Sequence, residues 1–173
     1  MKRLIVLLTA TGVISFVPAS ASAAGVTMVH GGGTGSFGAD LDSDLQIDGS
    51  QFGFVVAIMG GGAARGSFLC LMAGRSQILG LHLMSVQGEV TGGALNADGN
   101  VSFSGIASVN LGKGTIVQGK TFRVTAWLGG PGVGKMQLTV VGAFDGVPGD
   151  MTPGNGNYDL PVETVATGQI AMT

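Results

Sequence analysis

The chain has one cysteine, one tryptophan and one tyrosine in 173 residues, and only 10% of it is charged. Cys70 has no second cysteine to pair with, so an intramolecular disulfide is excluded. Stability must come from packing and backbone hydrogen bonding. Within Phe68-Leu69-Cys70-Leu71-Met72 the thiol reads as a small buried apolar group, because a protonated cysteine behaves as one. The serine and zinc hydrolase signatures G-x-S-x-G, S-x-x-K and H-E-x-x-H are all missing, so the sequence predicts no enzyme. Sustained runs of helix formers are scarce as well. Glycine accounts for 33 residues, and each one costs a helix interior about 1 kcal/mol. Strands and tight turns are what this composition leaves.

The first twenty-three residues have the layout of an export signal. Lys2 and Arg3 are followed by an apolar run from Leu4 to Val17, then by Pro18 and the small-residue site Ala21-Ser22-Ala23. A membrane-spanning helix would need about twenty apolar residues and a different exit. The expectation is therefore a secreted or periplasmic protein with no transmembrane helix once residues 1–23 are removed. The remainder, 24–173, is long enough for one domain that buries about two-thirds of its unfolded surface. It carries six basic and ten acidic residues, a net charge of −4, which makes nucleic acid an unfavourable partner.

Period-two alternation then recurs in short segments separated by glycine, proline and asparagine. It is clearest in Val101 to Asn110, Thr121 to Leu128 and Met136 to Phe144. Gln51 to Met59, Ser67 to Ala73 and Gln77 to Met84 are apolar on both faces. They read as central strands covered on two sides, or as the self-facing part of a closed sheet. Val86 to Leu95, Thr164 to Met172 and a short strand at Val26 to His30 complete the set. The predicted fold is a single all-β domain, an antiparallel barrel or sandwich of about eight to nine strands. Asn96-Ala97-Asp98-Gly99-Asn100 supplies the positive φ of a tight hairpin. Gly60-Gly61-Gly62, Gly112-Lys113-Gly114 and Gly129-Gly130-Pro131-Gly132 mark further reversals, and Gly146 to Asn157 reads as a long loop.

One set of residues carries a resemblance: Gly31-Gly32-Gly33, Gln51-Phe52-Gly53-Phe54-Val55-Val56, Gly66-Ser67-Phe68-Leu69, His82, Phe103-Ser104-Gly105-Ile106-Ala107 and Lys120-Thr121-Phe122-Arg123-Val124-Thr125. Their order and spacing resemble the small secreted bacterial β-domains of the post-COAP type. The resemblance implies an exported all-β domain and supplies no catalytic residue. The chain departs from that pattern by an acidic insertion after the triple glycine and by Trp127-Leu128-Gly129-Gly130 where an acidic turn is common.

The most site-like segment is Asp40 to Asp48. Asp40, Asp42, Asp44 and Asp48 are spaced so that their carboxylates can converge on a calcium ion. Leu45 stands where a calcium loop wants glycine and Gln51 where it wants a bidentate glutamate, and the same spacing describes a solvated acidic edge. Gly33-Thr34-Gly35-Ser36-Phe37-Gly38 matches a dinucleotide fingerprint in form only, since the motif needs a preceding strand and a following helix. His30 and His82 have no cysteine partners and read as structural.

The leading functional expectation is an exported, non-catalytic β-domain acting through its surface, as an accessory, adhesive or envelope-associated module. A second is a carrier with a small apolar ligand inside a closed barrel, where the eight methionines would adapt to its shape. A third is a small outer-membrane barrel, against which the single Trp and single Tyr weigh, because such barrels carry aromatic girdles.

Overall fold

A computed structural model of the protein describes residues 25–38, 49–73, 83–111, 114–147 and 149–173. Among them are nine strands: β1 (Thr27–Ser36), β2 (Gly49–Ile58), β3 (Ala63–Ala73), β4 (Leu83–Leu95), β5 (Val101–Asn110), β6 (Ile116–Trp127), β7 (Lys135–Val141), β8 (Tyr158–Asp159) and β9 (Glu163–Met172). Each of β1 to β6 pairs antiparallel with the next, β6 pairs with β7, and β9 bridges β7 to β1, so the sheet closes into a ring. The fold is an all-β barrel, in which β1 to β7 and β9 each have a ladder partner on both sides, the arrangement that limits the edges that invite strand addition.

The ring closes at β7 through two strands laid end to end. β8 pairs Tyr158 with Val140 and Asp159 with Thr139, and β9 pairs Glu163 with Met136 and Thr164 with Lys135. Between these pairs one residue of the returning strand is surplus, and Pro161 falls there. Proline cannot donate to a ladder, so a bulge is where a strand can hold it.

Two rims differ. At one, tight turns join β2 to β3 through Gly60–Gly62 and β4 to β5 through residues 96–100, where Gly99 has φ 81°. The other carries the connections that follow β1, β3, β5 and β7.

Alternation makes the interior. In β5 the residues Val101, Phe103, Ala107 and Val109 are buried while Ser102, Ser104 and Ser108 face outward. Inside, Phe54 lies 5.0 Å from Phe103 between ring centroids, Phe103 5.9 Å from Phe68, and Phe68 5.1 Å from Phe122. Glycines make room for these rings. A Cβ on Gly88 would lie 2.6 Å from Cε1 of Phe122, and one on Gly31 would lie 2.6 Å from both Cε1 and Cζ of Phe54. Side chains from the described strands thus fill the barrel, as in other barrels of about eight strands.

Four sequence expectations are corrected. The first strand does not stop at His30 but runs on through Gly31-Gly32-Gly33 to Ser36, because those glycines lie against the interior and the neighbouring backbone. Val86 to Leu95 belongs to a strand that already starts at Leu83, and residues 77–82 lie outside the described residues. Of the two readings of β2 and β3, cover on two sides fails, since Val55 is 50% and Leu69 45% exposed, and the closed sheet holds. Phe144 also leaves the strand pattern: β7 ends at Val141 and Phe144 adopts φ 61° in the turn beyond it.

Candidate functional site

The outward face of β2 to β6 carries a groove of about 840 Å³. Register builds it from two adjacent rows: Gly53, Leu69, Gln87 and Ser108 in one, and Val55, Ser67, Glu89 and Ile106 in the other. Bends in the sheet make the surface concave. Ladder register shifts beside Gly66, Gly92 and Ala107, and bulges sharpen local twist. A Cβ on Gly66 or Gly105 would collide with the carbonyl oxygens of Val55 and Glu89, whereas a Cβ on Gly53 would meet nothing within 4 Å. Glycine is thus required where the sheet folds and leaves space at the groove floor.

The groove is amphipathic and poor in charge. Ile106 is 51% exposed and stands with half-exposed Val55 and Leu69 among hydroxyl and amide side chains. The hydroxyl of Ser108 donates to Oε1 of Gln118. Among the described residues lining it, Glu89 is the single charged one. Such a surface can bury apolar area and satisfy hydrogen-bonding groups around it, as a recognition face does.

A second polar feature lies inside, at the rim with the longer connections. Glu163, only 3% exposed, accepts a 2.6 Å hydrogen bond from the hydroxyl of Ser50. Burial raises its carboxyl to about 7, against the hydroxyl and backbone N–H of Ser50, which favour the charged form. Gly35 provides the space, because any Cβ there would overlap the carboxylate. Cys70 faces the same pair. Burial first, and the Glu163 charge second, push its thiol far up, with Ser50 acting the other way. The thiol therefore stays protonated, and a protonated buried thiol is a poor nucleophile.

The loop after β7 is organised by carboxylates. Asp145 accepts from the N–H groups of Gly154 and Gly156, and Asp150 from those of Gly146, Thr152 and Asp159. Desolvation alone would raise the Asp150 carboxyl, but these donors together hold it below its ordinary value. Tyr158 is pushed up to about 12 by burial and by the nearby Asp150 charge.

Asp40, Asp42, Asp44 and Asp48, and His82 with them, lie outside the described residues. His30 is on β1 opposite Val55. Cys70 is buried. Gly33 to Ser36 are the second half of β1 rather than a strand-to-helix turn. Among the described residues no group of three or more His, Cys, Asp or Glu side chains is placed to hold a metal ion. Among them, too, no helix is long and apolar enough to cross a membrane.

No protein-family model, curated protein or solved structure matches the chain. Sequence reasoning missed both Glu163 and the groove. The signal for Glu163 was present: it shares inward parity with Val165, two residues after a proline. The groove had none, since Val55, Leu69 and Ile106 alternate in segments whose glycines conceal which face is hollow.

Proposed function

We propose that the chain is an exported, non-catalytic β-barrel module that works through its outer surface, with the groove across β2 to β6 as its contact face. The half-exposed Val55, Leu69 and Ile106 in a concave, nearly uncharged strip are the observation that carries this reading. Isolated exposed hydrophobics need no explanation, but three converging on one hollow do. The resemblance to post-COAP-type domains and the signal-like residues 1–23 support the exported setting. The aromatic filling of the barrel weighs against a ligand held inside. Outward Arg65, Gln87, Glu89 and Arg123 weigh against a lipid-facing band.

The test is binding of purified residues 24–173 to envelope material from the cells that produce the protein, alongside Leu69→Asp and Ile106→Lys, the latter placing its charge opposite Glu89. Both substitutions are expected to leave the thermal transition in place and reduce binding at least tenfold. Binding unchanged in both variants, or a catalytic turnover abolished by one substitution elsewhere, would overturn the proposal.

A further inference from the structure

The closure of the barrel has one weak seam, and the buried carboxyl sits in it. β1 to β6 are joined by long ladders, such as the ten pairs of β1 with β2. The returning strand meets β7 through two pairs in β8 and two in β9, with the proline bulge between them. Around that bulge the ladder is patched by single bonds: the N–H of Leu160 donates to the carbonyl of Leu138, and Nε2 of Gln137 donates to the carbonyl of Leu160. Farther along, β9 is tied to the β6–β7 turn, with Val165 bonded to Gly134 and Gly132 to Val165. On its other side β9 holds β1 along most of its length.

Glu163 is the first residue of β9, next to the patched stretch. The described residues around it give an ionised carboxylate little compensation. From β2 it receives Ser50, from β1 it meets Gly35, which has no side chain, and Met136 on β7 stands opposite in register. Among the described residues, the titratable group turned toward it is Cys70 of β3, which stays neutral and supplies no positive charge. Lys135, one residue from Met136, is exposed on the other face of β7. A buried carboxylate with one hydroxyl and one N–H for support is strongly disfavoured and gains from reaching water.

We propose that Glu163 is a pH-responsive latch on the barrel: protonated it keeps the β7 seam closed, and ionised it drives the 160–165 segment away from β7 toward solvent. The seam yields rather than the rest of the wall because fewest backbone bonds must break there. No covalent step is involved, and the proton passes to solvent water. An exported domain would thereby be tightly closed in acidic surroundings and locally open in neutral to alkaline ones.

Residue-resolved hydrogen exchange on the full domain, at pH 5.5 and pH 8 and corrected for the intrinsic rates, tests this. With the folded value near 7 and an ordinary carboxyl in the open form, the opening constant of the seam should rise by roughly ten- to thirtyfold across this range. The rise should appear at the Leu160 and Val165 amides and be absent from the Phe103 and Val124 amides. In Glu163→Gln, which keeps the shape and an acceptor for Ser50, the seam amides should show no such rise. Ser50→Ala removes a donor to the charged form and should move the midpoint to higher pH, so it tests the latch independently should Glu163→Gln fold poorly. A rise spread evenly through the barrel, an equal rise in Glu163→Gln, or a midpoint unmoved by Ser50→Ala would overturn the proposal. Failure here leaves the groove reading untouched, since that rests on a different face and a different assay.

Discussion

Replacing Gly31 by alanine tests whether the barrel interior is filled as tightly as the geometry says. The new Cβ would lie 2.6 Å from Cε1 and Cζ of Phe54 and 3.1 Å from Cγ1 of Ile170. Phe54 cannot retreat freely, because Phe103 lies 5.0 Å away on one side and Phe52 6.3 Å away on another. Overpacking of this kind costs about 1–3 kcal/mol. Backbone conformation adds no penalty, as Gly31 is not among the glycines with positive φ. In a Phe54→Leu background the colliding ring atoms are gone, and the methyl is left with the 3.1 Å contact to Cγ1 of Ile170, which a shift of a few tenths of an ångström relieves. There the smaller conformational freedom of alanine in the unfolded chain should make the substitution stabilising by about 0.4–1 kcal/mol. A single change is thus expected to reverse sign, with a coupling of about 2–3 kcal/mol between two residues in contact. Urea denaturation of the four proteins measures it, provided the m-value stays constant. A neutral Gly31→Ala in the wild-type background would refute the reasoning. It would mean the interior has slack, and a ligand-sized space would again be a serious reading.

Glu163 predicts an unusual direction of pH dependence. Because its folded carboxyl is raised from 4.5 to about 7, the native state keeps a proton that the unfolded chain has lost. Stability is therefore greatest below pH 4.5 as far as this group is concerned. It falls by roughly 3 kcal/mol as pH rises to about 7 and levels off above. Unfolding free energies of wild type and Glu163→Gln between pH 4.5 and 8 isolate the effect, and parallel curves would contradict it. Cys70 should react with a thiol reagent only as fast as the domain opens, so its labelling rate should climb with urea along the unfolding transition. Rapid labelling of the native protein would show that the thiol is not buried.

Strand placement was legible to the extent that a two-residue period was unbroken. Val101 to Asn110 was read with the bounds the structure gives, because serines and apolar residues alternate there without a glycine on the buried side except Gly105. Reading failed where glycine replaces the inward residue. Gly31, Gly33 and Gly35 hide the alternation of β1, and the ring, backbone carbonyl or carboxyl that a Cβ would meet at each is supplied from a distant strand. Phe54 explains Gly31, and Glu163 explains Gly35. A local pattern cannot show a side chain contributed from 23 or 128 positions away. The same limit applied to Ser50 and Glu163, whose hydrogen bond spans 113 positions.

The two features that sequence reasoning missed are also separated in the ring, and that separation has a consequence. The groove belongs to β2 through β6, while the latch lies where β7, β8 and β9 meet. Opening at the seam releases bonds of β7 and the returning strand, but the ladders of β2 with β3, β3 with β4 and β4 with β5 share none of them. Contact through the groove should therefore change little between pH 5.5 and pH 8, even as the seam loosens. Should binding weaken in step with seam exchange, and should Glu163→Gln abolish that weakening, the contact face must extend across β1 and β9 as well. The outward residues there, His30, Thr34 and Thr167 among them, would then become the next positions to alter.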